Sequence, residues 1–479
     1  MRWSLVSSPR ARASWLVRIC LPVLVLGACS RLPTHQALQA AGEPTRPALL
    51  AGVHGPLSAA QSRAVLARLE QGGVPTDIFD RHLAIEDALV GSPMSTGNRV
   101  QLLRDGPATY RAMLDAIEQA RDNINMETYI LDDDAVGQRF ALALLAKQRQ
   151  GVQVHLMHDS LGTLGTPETF FNTLSDAGVR VLAFNPLNPA LAGADWQINR
   201  RNHRKLLVVD GETAFLGGIN ISSVYSGSAF SRTSRTSPAS RASGNMRGAA
   251  NGWRDTDLQL QGPVVADLQK LFLNGWASQN GPPVADRRYF PPPRAMGREV
   301  VRAIGSSPEE PFSLIYATLL SAIASAQTSV HLTHAYFAPD PLLLADLEAA
   351  AQRGVAVVLI LPANTDSWLV FHAGRSHYAR LLRAGVQLHE RRDVVLHAKT
   401  ALVDGVWSTV GSSNLDWRSF LHNHELNAVV LGKDFGDQMQ AMFEDDLAAS
   451  NPVRLDAWED RSTLSRLKEW LARLWEYWL

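Results

Sequence analysis

Cysteine is scarce in this 479-residue chain: there are two, Cys20 and Cys29, both within the first 29 residues. A form cut there keeps no internal disulfide and no thiolate metal cage. Neither sign of charge is in excess, with 46 Lys+Arg against 46 Asp+Glu, which argues against a generic nucleic-acid coat. The apolar run of the N-terminus falls short of the about 20 residues needed to cross a bilayer. With 46% hydrophobic and 19% charged residues, the composition excludes a coiled coil, a disordered tail protein and a polytopic membrane protein, and leaves a globular chain of two or three domains. The signatures H-E-x-x-H, G-x-S-x-G and G-x4-G-K-[ST] are also absent, which removes zinc-protease, serine-hydrolase and P-loop chemistry.

What is present begins with a leader. Arg2, Arg10, Arg12 and Arg18 precede the apolar stretch 19–28, which ends in Leu26-Gly27-Ala28-Cys29. This is the layout of a secretory signal with a small-residue cleavage site. The ending resembles a bacterial lipobox, which implies cleavage before Cys29 and a lipid on its thiol. Loss of residues 1–28 leaves 42 basic against 46 acidic residues, a net charge of −4. The expectation is a lipid-anchored protein of a bacterial cell envelope facing the periplasm, and Ser30 after the Cys favours the outer membrane. Residues 29–57, rich in Pro, Ala and Thr, read as a tether, and 58–98 as a helical segment that starts with a capped helix at Ser58.

From Arg99 onward the chain repeats itself. Met113-Leu-Asp-Ala-Ile-Glu-Gln-Ala120 is echoed by Leu319-Leu-Ser-Ala-Ile-Ala-Ser-Ala326, and each is followed by an alternating strand, 123–131 and 329–337. Gly151-Val-Gln-Val and Ala177-Gly-Val-Arg-Val likewise return as Gly354-Val-Ala-Val and Ala384-Gly-Val-Gln-Leu. Two similar α/β halves, 99–280 and 299–450, with mixed sheets flanked by helices and packed about a pseudo-twofold axis, are the economical reading. A Pro-rich linker, 281–298, divides them.

The chemistry closes each half. His203-x-Lys205-x4-Asp210 is followed by Gly217-Gly218-Ile219-Asn220, and His397-x-Lys399-x4-Asp404 by Gly411-Ser412-Ser413-Asn414. One copy is weak evidence; two in register inside a duplication are strong. On a strand the His and Lys of each motif share a face, while Asp210 and Asp404 fall with opposite parity at the strand end. If the halves pack about a twofold, two imidazoles and two ammonium groups meet in one pocket suited to a phosphate, with the Asn side chains available to its oxygens. One imidazole can attack phosphorus while the other protonates the leaving alcohol.

These motifs resemble the phospholipase D superfamily, and with Arg200 to Lys205, Trp253-Arg254-Asp255-Thr256, Gly262-Pro263-Val264 and Gly411 to Ser419 the pattern is most similar to bacterial cardiolipin synthases. The resemblance spans about residues 99–450. It implies a phosphatidyltransferase that needs no metal or cofactor and works through a phosphohistidine. His203 is then the nucleophile and His397 the general acid and base, with Lys205, Lys399, Asp210, Asp404, Asn220, Ser412 and Asn414 around them. It also implies an acid beyond each motif that orients its imidazole: Asp255, 52 residues past His203, and Glu425, 28 past His397. The implied partners are membrane phospholipids, phosphatidylglycerol or phosphatidylethanolamine, and nucleic acid is disfavoured. The alternatives are hydrolysis to phosphatidic acid, action on another phosphodiester, nucleic acid included, and a scaffold with a dead site.

The unequal separations come from an insertion, 222–252. From Glu212 to Asp255 there is no intervening acid, but Arg232, Arg235, Arg241, Arg247 and Arg254 occur, which reads as a basic surface loop able to attract anionic lipid. His155, His158 and Asp159, and His422, His424 and Glu425, carry metal-ligand residue types without a metal-site signature. At the C-terminus, 451–479, Leu464, Leu467, Trp470, Leu471, Leu474, Trp475 and Trp478 keep helical spacing. This amphipathic helix either lies on a bilayer or packs on the protein's own core.

Overall fold

A computed structural model of the chain describes residues 32–33, 48–71, 73–74, 76–188, 196–227 and 252–479. The leader, Cys29, most of the expected tether and the insertion's Arg232, Arg235, Arg241 and Arg247 lie outside the described residues.

The two halves have the same strand order. In the first, Arg180–Phe184, Gln153–Asp159 and Asn123–Thr128 run parallel. Leu206–Val209, Thr213–Gly217, Asp257–Gln261 and Met94–Leu103 then continue the sheet antiparallel. In the second, Gln387–Arg391, Ala356–Pro362 and Ser329–His334 are parallel, followed antiparallel by Lys399–Val403, Trp407–Gly411, Asn423–Leu431 and Glu299–Ser306. The parallel strands are apolar runs such as Val357-Val-Leu-Ile-Leu361, as befits strands covered on both faces by crossover helices. The halves join edge to edge where Glu299–Ser306 pairs antiparallel with Met94–Leu103.

Each half has its own apolar core, and a third cluster is shared: Leu206, Val208 and Leu258 of the first half pack with Leu402, Ala428 and Val430 of the second. Burial of that seam makes the relative placement of the halves part of the fold rather than a hinge.

Two further pairings cross between halves and set the site. Arg201–Asn202 runs parallel to Asn423–His424, and Trp253–Arg254 runs parallel to Val395–Leu396. Some expectations change here. Leu50–Gly52, inside the stretch read as a tether, is a strand that pairs with Gly55–Pro56 and with Met94–Ser95; a parallel partner edge captured a segment whose composition looked like linker. Arg254, counted with the basic surface loop, is fully buried and pairs with Asp446, Nη2 to Oδ2 at 2.7 Å. It is a structural ion pair, not a lipid contact.

Candidate active site

The two imidazoles stand where each short cross-half strand breaks, just before the central strands Leu206–Val209 and Lys399–Val403 rather than within them. The His203 N–H donates to the His424 carbonyl at 2.9 Å, and the His397 N–H to the Arg254 carbonyl at 2.7 Å. Each histidine is thus fixed beside the residue that precedes the acid of the opposite half. Both line one cavity of about 400 Å³, together with Tyr129, Asn220, Trp253, Tyr336, Asn414 and Arg418.

The carboxylates are therefore exchanged. Glu425 of the second half takes His203 of the first, with Nδ1 at 3.0 and 3.1 Å from its two oxygens. Asp255 of the first half takes His397 of the second, at 2.6 Å from Nδ1. This corrects the sequence expectation that each acid serves the motif preceding it: the parallel cross-half pairings, which no linear spacing encodes, carry each acid to the other imidazole. With Nδ1–H on a carboxylate, the Nε2 lone pair of each ring is left for the cavity.

Burial pushes the His203 imidazole down to about 4, against the opposing pull of Glu425. Burial likewise lowers His397, with Lys399 adding to the effect. Burial works to raise the Glu425 carboxyl, but the neighbouring His203 prevails and holds it below its ordinary value. The resulting state is a neutral imidazole on a charged carboxylate, which is a nucleophile's arrangement.

The lysines do not line the cavity. Lys205 donates to the His203 carbonyl at 2.5 Å and lies over the Tyr129 ring, 5.3 Å from its centroid. Lys399 donates to the His397 carbonyl behind its own imidazole. Each stands behind a histidine, close enough to act on the site through its field. Burial lowers both ammonium groups, Lys205 to about 7.

Asp210 and Asp404, read with the catalytic set, are elsewhere. Asp210 accepts from the N–H groups of Arg121, Asp122 and Asn123. Asp404 accepts from those of Gln327, Thr328 and Ser329 and from the hydroxyls of Thr328 and Thr76. Both have left-handed backbone, φ 55° and 50°. Each ties the turn after its central strand to the start of the neighbouring strand, a structural part that carboxylates fill well.

The Gly-Gly and Gly-Ser pairs are second supports. A Cβ at Gly218 would lie 2.2 Å from Oδ1 of Asp255, so only glycine leaves room for that carboxylate. Its counterpart Ser412 instead donates to Glu425 at 2.5 Å, and Asn423 also donates to it. Asn220 reaches the cavity, but its amide is committed: Oδ1 accepts from the Ile130 N–H and Nδ2 donates to Tyr225. Asn414 lines the cavity with its Oδ1 unpartnered.

Sequence reading missed Tyr129 and Tyr336. The Tyr129 ring meets His203 edge-on at 5.1 Å, and Tyr336 meets His397 at 6.0 Å and donates to Asp366. The signal was there, since each lies near the end of the echoed strand of its half, 123–131 and 329–337. The metal-type runs have other partners: His155 bonds Asn125, His158 bonds Thr163 and stacks on Phe171, and Glu425 holds His203.

The family model described as cardiolipin synthase, PLD-like domain, matches residues 113–227 and 319–447. A cardiolipin synthase of Geobacillus is 33% identical over 386 residues, 80% of this chain and 73% of its own length. Cardiolipin synthase 2 of Bacillus anthracis is 32% identical over 392 residues, 81% of this chain and 72% of its own. Among solved structures, a phosphatidylserine synthase of Haemophilus influenzae shares the fold, with TM-score 0.56 and 12% identity, covering 88% of this chain and all of that one.

These relatives overturn the expected lipid-anchored, periplasm-facing place at the outer membrane. Cardiolipin synthases of this kind are typically enzymes of the inner membrane or its cytoplasmic side. No described helix is long and apolar enough to cross a membrane.

Proposed function

Since the chain belongs to the cardiolipin synthase family of phospholipase D-like proteins and is a phosphatidyltransferase of that kind, we propose that His203 and His397 move a phosphatidyl group between two phosphatidylglycerol molecules. Nε2 of His203 attacks the phosphorus of the donor. A P–N bond forms as the P–O bond to the departing glycerol breaks, and His397 gives that oxygen its proton. The negative phosphodiester favours the protonated form of His397 that this needs. His397 then takes the proton from a hydroxyl of the acceptor, whose oxygen displaces Nε2 and closes the phosphodiester of cardiolipin. One P–O bond is lost and one gained, so no nucleotide is needed to drive the exchange.

The observation that carries this reading is the pair of crossed carboxylate–imidazole couples facing one cavity. Glu425 and Asp255 fix the tautomers, and Lys205 and Lys399 offset the charge that gathers on the phosphoryl oxygens. The reading is tested with the purified protein on phosphatidylglycerol vesicles with a chelator present, following lipids by mass spectrometry. Cardiolipin and free glycerol are expected, and both disappear in His203→Ala and His397→Ala. A phosphatidyl adduct on the peptide that contains His203 is expected after a cold quench in denaturant at mildly alkaline pH, where the P–N bond survives. Phosphatidic acid as the sole product would replace transfer by hydrolysis.

A further inference from the structure

The C-terminal helix Thr463–Arg473 is mounted with its apolar side outward. Its inner face is narrow: Ala472 is buried with Ala338, Val370 and Ala373, and Glu469 is buried against Arg461, Nη2 to Oε2 at 2.7 Å. Below it, Glu476 of the following turn accepts from His377 at 2.6 Å. The outer face carries Leu467, Trp470, Leu471, Leu474 and Trp475, of which Trp470 is 58% and Leu474 61% exposed. A soluble helix ordinarily does the reverse, and an exposed apolar patch of this kind marks a surface that something covers.

This patch continues into the mouth of the cavity. Trp478 is half exposed and lines the cavity with Leu479, whose carbonyl accepts from the Arg418 N–H at 2.7 Å. Helix Trp368–Arg375 packs along the C-terminal helix; its Val370 lines the cavity while Trp368 and Leu369 are exposed. On the far rim, exposed Ile198 adjoins Asn199, which accepts from Arg418. Exposed Leu164 lies in the loop whose Gly162 touches the Tyr129 carbonyl.

We propose that the C-terminal helix, its Trp-rich end and the start of helix Trp368–Arg375 form a docking face that lays the cavity mouth on an anionic phospholipid surface. Three observations favour lipid over another occupant. Tryptophan and leucine dominate the face, the residues that settle at the boundary of headgroup and acyl chain. Arg466 and Lys468 sit among them, while Glu469 is taken by Arg461 and Glu476 by His377 and Arg473, so the remaining positive charge complements anionic headgroups. A second copy seated on this face would close the mouth that substrate must enter. The inference rests on the cavity being the site of phosphatidyl transfer, and it adds how a two-chain lipid reaches it without leaving the bilayer.

The test uses the full chain and two readings. Hydrogen exchange is followed with and without phosphatidylglycerol vesicles. Protection confined to 464–478 and 368–371 is expected, weaker on phosphatidylcholine, and no protection there overturns the proposal. Turnover is then compared on vesicles and on a short-chain phosphatidylglycerol kept monomeric. The variant Leu467→Ser/Trp470→Ser/Leu474→Ser should lose about tenfold or more on vesicles, because three anchors leave the interface, and nothing on the monomeric lipid. Phe290→Ser, an exposed aromatic beside the Gly211 turn at the other end of the central strand, should lose neither. Equal loss on both lipids overturns the proposal, as does a wild-type dimer that the triple variant dissolves without any vesicle protection. Failure of the transfer reading looks different: no lipid turnover in either form while vesicle protection persists.

Discussion

The two imidazoles are related by repetition, yet their supports differ. His203 leans on a longer acid, Glu425, held by the hydroxyl of Ser412 and the amide of Asn423. His397 leans on a shorter acid, Asp255, which presses on the bare backbone of Gly218, and its Nδ1 also stands 3.2 Å from the Tyr225 hydroxyl. An extra methylene in one half is answered by a side-chain donor, and its absence in the other by a missing Cβ. Duplication kept the function of the position while two packings achieved it. The same exchange makes the site a property of the pair: neither half holds its own histidine.

The largest expected effect breaks the crossing itself. Glu425→Gln and Asp255→Asn should each lower turnover on the order of a hundredfold to ten-thousandfold, the range for losing a tautomer-fixing carboxylate. Histidine nitrogen NMR decides the pairing. Glu425→Gln should alter the His203 tautomer and leave that of His397, and Asp255→Asn should do the opposite; altered His203 in Asp255→Asn would sink the crossed arrangement.

Gly218→Ala comes next, at about a hundredfold, since the new Cβ must push Asp255 off His397. Ser412→Ala should cost about tenfold, one hydrogen bond to a carboxylate. Equal losses at the two positions would contradict the difference between the halves.

A smaller effect follows pH. Lys205, pushed down to about 7 by burial, is charged below that value and neutral above it. Attraction for an anionic substrate, and with it kcat/KM, should therefore fall as pH rises through about 7, and the fall should vanish in Lys205→Arg, which stays charged. On the acid side, His203 at about 4 keeps its lone pair well below the usual histidine range, so the nucleophile itself should not set a limb near pH 6.

The smallest effect on the chemistry is at the motif aspartates. Asp404→Ala should lower stability by about 2–4 kcal/mol, because several N–H groups lose a charged acceptor, while the His397–Asp255 couple survives. Asp210→Ala, with three N–H groups and, among the described residues, no hydroxyl partner, should cost less. Thermal melts beside turnover measurements at a permissive temperature separate this from a catalytic role.

The repeat was legible because each half must bury its own apolar strands in the same order, and burial leaves a periodic trace. His203, Lys205, His397 and Lys399 were legible because their spacing recurs. Asp255 and Glu425 were found as residues, but their pairing was not, since it depends on the parallel strands Arg201–Asn202 with Asn423–His424 and Trp253–Arg254 with Val395–Leu396. Arg254 misled for a related reason: an arginine in a Ser- and Gly-rich run looks solvated until Asp446, 192 residues away, is brought beside it.

The sequence by itself determined that there are two α/β units, that each ends in a His, a Lys and an Asp at fixed spacing, and that the last helix is amphipathic, since local periodicity is written in neighbouring residues. Tertiary structure alone decided which acid serves which imidazole, that the aspartates brace strand ends instead of facing substrate, and that the helix shows its apolar side outward beside the cavity mouth. Those choices are made by contacts between segments 75 or more residues apart, and no short-range pattern carries their geometry.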